Sequence, residues 1–174
     1  NQSNNTNTAI NLINAYVEHN YDSLHITNDP YPVSMRIVNM IKFSSTNRFA
    51  LACNDLDLIN NLISRDVNNL EVNIEHHLMG NHILENYLAL VMASLYFSNE
   101  SLFHKYERQL IKELNEQFLD DGFHFELSIM YHNILSEKLL DLYALTKASL
   151  ANNSIKCKNL NLRLQVLLTR LLSV

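Results

Sequence analysis

Side chains that can bind an anion or exchange a proton are concentrated in three short segments of the chain. These segments are Tyr31-Pro32, Asn81-His82 and residues 124–132, and the last of them contains Glu126 and Tyr131. Each segment lies at the predicted start of a helix. The N-terminus of a helix carries unpaired backbone N–H groups and a partial positive charge of about half a unit. We therefore expect the three segments to bind an anionic ligand.

The composition limits the kind of protein that carries these segments. The chain has 174 residues, of which 47% are hydrophobic, and its net charge is −5. These values suit one soluble domain, or part of a larger one, and exclude a disordered polyelectrolyte. The negative charge provides no general attraction for nucleic acid, so we expect no nucleic-acid partner. The absence of a long uncharged apolar run predicts that no segment spans a membrane.

The scarcity of turn-forming residues indicates a helical protein. The sequence contains only 2 glycines and 2 prolines, too few for the many turns of an all-β chain. Residues 1–8 are predicted to be a disordered polar head, followed by a single helical domain over 9–174. Apolar residues at helical spacing predict these helices within that domain: 9–18, from 33, 55–69, 81–97, 100–118, from 128, and 158–174.

The predicted helices differ in how much of their surface is apolar. The helix over 81–97 is almost wholly apolar, whereas the one over 100–118 has one apolar and one charged face. This alternation predicts an all-α fold built from two layers of antiparallel helical hairpins. Short connections also predict that successive helices reverse direction. The helices that start near 33, 81 and 128 then have their N-termini at the same end of the domain.

Three sequence motifs in these same segments resemble the heparinase II/III family of bacterial polysaccharide lyases. The motifs are YPVSMRIVNMIK (31–42), GNHILEN (80–86) and DGFHFELSIMYH (121–132), and their order and approximate spacing match the family. The resemblance implies an incomplete α/α toroid followed by a C-terminal β-sandwich domain. It also implies that an acidic polysaccharide binds in the cleft between them. On this reading the chain is the toroid part of a longer protein and lacks the β-sandwich.

The resemblance also implies a reaction, the β-elimination of a uronate-containing glycan. A base removes the proton at C5 of the uronate, and an acid protonates the departing oxygen at C4. Asn81 is implied to neutralise the substrate carboxylate, because its amide has two N–H donors, and His82 to assist it. Tyr131 is implied to transfer a proton. The family usually draws a further His or Tyr from the sandwich domain, so we expect the isolated chain to be inactive.

Other polar residues of the three motifs are predicted to contact the substrate, and each has a structural alternative. Asn81 alone would also suit a helix N-cap, and Tyr131 alone would suit the core. The guanidinium of Arg36 lies one turn inside its helix, where a buried salt bridge is the favoured alternative. The predicted substrate-binding residues are Tyr31, Arg36, His124, Glu126 and His132. For His124 and His132 two structural roles are equally open: orienting Tyr131, or packing the cleft.

Two other classes of function remain open at the level of sequence. One is a non-catalytic helical domain that binds a glycan or a protein. The other is an inverting glycoside hydrolase, for which Asp120, Asp121 and Glu126 are the candidate carboxylates. No histidine or cysteine spacing predicts a metal site, and no cofactor is expected. The family resemblance favours a bacterial protein that is periplasmic or secreted.

Overall fold

The computed structural model describes residues 2–19, 26–76 and 80–171, and within these ranges it has seven α-helices and no strand. The all-α prediction is therefore confirmed. Helix α1 begins inside the segment predicted to be disordered, so residues 2–8 are helical. The helices are α1 (Gln2–His19), α2 (Pro30–Thr46), α3 (Cys53–Val72), α4 (Asn81–Tyr96), α5 (Glu100–Gln117), α6 (Ile129–Ala151) and α7 (Lys158–Leu171), with a 3-10 turn at Ile26–Asn28.

Contacts divide the chain into two compact units, residues 1–74 and 75–174, where the sequence predicted one domain over 9–174. In the first unit α2 and α3 form a packed pair. Helix α2 begins at Pro30 rather than near Val33, because Asp29 is its N-cap and Pro30 occupies the first helical position. Proline is favoured there, since its missing N–H group would have no partner within the helix.

The second unit consists of two helical hairpins, α4 with α5 and α6 with α7. Every side chain of α4 from Leu84 to Leu95 is buried, which confirms that α4 is an inner helix. Helix α5 buries one face, on which Leu102, Leu110 and Leu114 lie. Helix α4 packs against α6, and α5 makes a smaller contact with α7. The structure therefore has the paired, layered helices that the alternating patterns predicted.

A tight turn connects the two hairpins. Phe118 and His124 form an isolated antiparallel bridge, and the N–H of Leu119 donates to the carbonyl of Phe123 at 2.9 Å. Gly122 has φ +93, and a Cβ there would lie 2.9 Å from Cβ of Arg170 in α7. Only glycine accepts both this backbone angle and this approach without strain. The turn delivers residues 124–128 to the start of α6.

None of the helices described above is long and apolar enough to cross a membrane.

Candidate functional site

Helix α4 begins at a glycine with an unusual backbone angle. Gly80 is the N-cap, with φ +86 and ψ −141, and Asn81 is the first helical residue. The N-cap role considered for Asn81 was therefore wrong. Glycine fits the cap position because a positive φ costs it little, whereas most other residues are strained there. The amide of Asn81 is consequently available to groups outside its own helix.

Asn81 contacts the segment that leads into α6. Its Nδ2 donates a hydrogen bond to Oε2 of Glu126 at 3.1 Å, although the two residues are 45 positions apart. A Cβ placed on Gly80 would lie 3.4 Å from the other carboxylate oxygen of Glu126. Oδ1 of Asn81 is buried and has no hydrogen-bond partner among the described residues. The start of α4 and the approach to α6 therefore lie side by side.

Tyr131 lies in the first turn of α6. Ser128 caps this helix, and its Oγ accepts a long hydrogen bond of 3.5 Å from the backbone N–H of Tyr131. The Tyr131 side chain is 37% exposed, so the alternative that placed it in the core was wrong. Its neighbours Ile129 and Met130 are more exposed still. The phenol is therefore open to a ligand at the N-terminal end of α6.

A buried ion pair joins the two helices that carry Asn81 and Tyr131. Nζ of Lys138 in α6 donates to Oε1 of Glu85 in α4. Glu85 is four residues after Asn81, and Lys138 is seven residues after Tyr131. Residues four and seven apart lie on one face of a helix. Asn81 and Tyr131 therefore lie on the sides of α4 and α6 that carry this ion pair, each in the first turn of its helix.

Burial perturbs the carboxylate of this ion pair. Glu85 is 2% exposed, and desolvation raises its pKa, while the charge of Lys138 opposes that shift. The other carboxylate oxygen, Oε2, is buried without a hydrogen-bond partner among the described residues. The pair therefore joins α4 to α6 at the cost of desolvating two charges.

The two histidines of the third motif point into the protein. His124 is completely buried, and burial lowers its pKa. One of its ring nitrogens contacts Gln117 and the other contacts the backbone N–H of Glu126. His132 stacks on Phe123, with ring centroids 4.2 Å apart and planes 7° from parallel. These contacts pack both rings against neighbouring residues; the orientation of Tyr131 and substrate binding by either histidine stay predictions.

His82 follows Asn81 and lies beside a second carboxylate. Its Nδ1 is 3.1 Å from Oε2 of Glu75, and its side chain is 44% exposed. The backbone N–H of Glu75 in turn donates to Oδ1 of Asn86 at 3.0 Å. The buried Asn86 thus fixes Glu75, and Glu75 orients His82. The imidazole is held at the start of α4 while part of it faces solvent.

Arg36 and Tyr31 belong to the first unit. Arg36 makes a two-point ion pair with Asp66, at 2.6 Å and 3.0 Å, and donates a third hydrogen bond to the carbonyl of Thr27. Its guanidinium also lies over the ring of Tyr16. The buried salt bridge favoured for Arg36 is therefore present. Tyr31 lies in the first turn of α2 and is partly exposed, and its role toward a substrate stays a prediction.

A cavity of about 500 Å³ opens beside the N-terminus of α4. Gly80, Gln117 and Phe125 are among its lining residues, together with charged side chains of α5. The described parts of the chain contain no group of three His, Cys, Asp or Glu side chains that could hold a metal ion. The cavity is large enough for a sugar ring, and Asn81, Glu126 and Tyr131 are not among its lining residues.

Sequence patterns did not identify the polar residues that are buried behind this site. Gln117 and Glu113 belong to α5, for which the sequence predicted one apolar and one charged face, yet they are 3% and 9% exposed. The burial of Gln117 was predictable from its position. It follows Leu110 by seven residues and Leu114 by three, so it lies on the apolar face of α5. Glu85 and Lys138 are charged residues within largely apolar helices. Rare charges of opposite sign in two buried helices are candidates for pairing.

Comparison with known proteins places the chain in a family. The sequence model described as heparinase II/III N-terminus matches residues 22–163. The fold is similar to that of the heparan sulfate lyase HepC from Pedobacter heparinus, with a TM-score of 0.64 and 19% sequence identity. That match covers 97% of this chain and 28% of HepC, so the chain spans less than a third of that protein. No curated protein sequence matches it. The fold is the helical toroid of these lyases, and the chain belongs to the heparinase II/III family.

Proposed function

We propose that this chain is the toroid part of a polysaccharide lyase that cleaves a uronate-containing glycan by β-elimination. A base takes the C5 proton, the released electron pair forms the C4–C5 double bond, and the C4–oxygen bond breaks. An acid then protonates the departing oxygen. Negative charge develops on the uronate carboxylate as the C5 proton leaves. Donors placed at that carboxylate stabilise this charge.

One contact carries the proposal: the amide of Asn81 already binds a carboxylate, that of Glu126. A substrate carboxylate that replaces Glu126 would meet the same N–H donor at the N-terminus of α4, where the helix dipole also favours negative charge. His82 lies next to Asn81 and is oriented by Glu75. It can add a second donor to the substrate carboxylate.

Tyr131 is proposed as the group that transfers a proton. It is exposed in the first turn of α6, and the Glu85–Lys138 pair joins this helix to the one that carries Asn81. A neutral phenol can protonate the departing oxygen directly, and it can serve as base once it has lost its own proton. A second proton-transfer group comes from a β-sandwich domain in the full-length protein. A polymeric substrate also suits a periplasmic or secreted protein.

The test is an assay of the full-length protein on polyuronates, followed by the ultraviolet absorbance of the unsaturated uronate product. Tyr131→Phe should lower kcat by about 10² to 10⁴-fold, and Asn81→Ala by about 10² to 10³-fold. Tyr143→Phe and Asn133→Ala, on the same helix α6, are the matched controls and should keep the activity of the unmodified protein. Full activity in Tyr131→Phe would remove Tyr131 from the mechanism.

The product separates the lyase from the two other classes of function. An inverting hydrolase would produce reducing ends without new ultraviolet absorbance. A binding domain would retain the glycan and cleave nothing. Either result, obtained with the full-length protein on the polyuronate that it binds, contradicts the proposal.

A further inference from the structure

One buried glutamine connects the three pieces of backbone that surround Asn81. Gln117 is the last residue of α5, and its Nε2 donates to the carbonyl of Gly80 and to Oε2 of Glu113, each at 2.9 Å. Its Oε1 accepts a hydrogen bond from Nε2 of His124 at 3.3 Å. Its backbone carbonyl accepts one from Phe125 at 2.8 Å. One side chain thus contacts the cap of α4, the end of α5 and the turn before α6.

The partners of Gln117 determine which way its amide faces. The Gly80 carbonyl and the Glu113 carboxylate can only accept, so the NH₂ group must face them and the oxygen must face His124. His124 must then carry its proton on Nε2. Its Nδ1 lies 3.4 Å from the backbone N–H of Glu126 and can only accept there. The same contacts therefore define a neutral imidazole of one tautomer, and its complete burial also favours the neutral form.

The hydrogen bonds that run from Gly80 through Gln117 and His124 to Glu126 begin and end beside the proposed carboxylate site. Gly80 precedes Asn81 directly, and the backbone N–H bound by His124 is that of Glu126 itself. The hydrogen bond from Asn81 to Glu126 closes the loop. Every backbone segment that sets the direction of the Asn81 amide is thereby connected to Gln117.

We propose that Gln117 is a positioning residue for the carboxylate site: it aligns the Asn81 amide through Gly80 on one side and through His124 and Glu126 on the other. The inference rests on the lyase function proposed above. Gln117 does not touch the substrate. Its effect is on the geometry of Asn81, which stabilises charge that develops only in the transition state. Displacement of such a group by about 1 Å can cost roughly 10²-fold in rate.

The first test is Gln117→Met in the full-length protein. Methionine has a similar volume and none of the hydrogen bonds, so the core stays filled. We expect kcat to fall about 10²-fold, with a much smaller change in KM. Gln109→Met is the matched control, because Gln109 lies on the exposed side of the same helix. Equal kcat values for the two variants would overturn the inference.

A second variant keeps the test decisive if Gln117→Met does not fold. A glutamate at position 117 can accept from His124, but when ionised it cannot donate to Gly80 and it faces the carboxylate of Glu113. Gln117→Glu should therefore lose kcat at pH 8 and recover part of it, relative to the unmodified protein, near pH 5.5, where the new carboxyl group can be protonated and donate. A constant deficit across this range contradicts the role.

The nitrogen NMR signals of the His124 ring provide a readout that needs no activity. We expect the Nε2–H tautomer in the unmodified protein, a shift of the Nε2 signal in Gln117→Met because the acceptor of its proton is lost, and a higher His124 pKa in Gln117→Glu, because a carboxylate favours the imidazolium. An Nε2 signal that is the same in Gln117→Met and in the unmodified protein overturns the contact. If Tyr131→Phe and Asn81→Ala remain fully active, the lyase proposal fails, while the His124 signals still decide whether Gln117 sets this geometry.

Discussion

Lys138→Met is expected to destabilise the protein, because it leaves the carboxylate of Glu85 buried without its cation. The Glu85 and Lys138 side chains are 2% and 9% exposed, so water reaches neither charge easily. Removing one partner of such a pair typically costs about 3 to 5 kcal/mol. Total stabilities of about 5 to 15 kcal/mol make this a large fraction. Replacing both residues, in Glu85→Leu with Lys138→Met, should restore stability to within about 1 kcal/mol.

The same prediction has a dependence on pH with a definite sign. Burial already raises the pKa of Glu85, and Lys138 is the largest influence that lowers it, so the variant raises this pKa further. The folded state then binds more protons than the unfolded state, whose glutamates titrate near 4.3. The free energy of unfolding therefore falls as pH rises above that value. The deficit of Lys138→Met should be larger at pH 8 than at pH 5.

Urea denaturation followed by circular dichroism at both pH values measures this deficit. Lys147→Met is the control, since Lys147 is exposed on the same helix and its replacement should change stability by less than about 0.5 kcal/mol. The reasoning is refuted if Lys138→Met costs no more than Lys147→Met at pH 8, or if its deficit is the same at both pH values.

Three further substitutions test the backbone around the site, and one titration tests its buried histidine. Gly80→Ala should destabilise the protein by about 1 to 3 kcal/mol, because its φ of +86 and ψ of −141 lie near a backbone region that is open almost only to glycine; a melting temperature equal to that of the unmodified protein would contradict this. Gly122→Ala should cost more, because its Cβ would also lie 3.0 Å from backbone atoms of α7; the two melting temperatures give the comparison. Leu127, an exposed leucine at φ 53, should tolerate glycine without loss of stability, as urea denaturation can check. Because burial lowers the pKa of His124, its ring should still be neutral at pH 6.5 in an NMR titration. An unperturbed histidine is half protonated at about that pH.

The helices were largely predictable from the sequence, because apolar spacing directly encodes which face of a helix is buried. The bounds predicted for α4 and α5 differ from the observed ones by one residue at the C-terminal end. The largest difference between a predicted and an observed helix boundary is at the start of α1. Its polar first residues, 2–8, lack the apolar spacing on which the prediction depended, yet they are helical. The start of α2 was predicted near Val33, where the apolar spacing begins, whereas Pro30 is its first helical residue.

The residues of the site also differ in how far the sequence predicts them. Asn81, Glu126 and Tyr131 were found through motifs and through the direction of successive helices, both of which are properties of the chain in one dimension. The partners of Asn81 depend on distance in space, and Gln117 shows the difference. Its position on the apolar face of α5 predicts burial but not that it binds Gly80 and His124, 37 positions before it and seven after. A buried polar residue needs hydrogen-bond partners. A polar residue on an apolar helix face therefore predicts a buried contact, but only the structure identifies the partner. For Gln117 one partner is Gly80, the N-cap of the helix that carries Asn81.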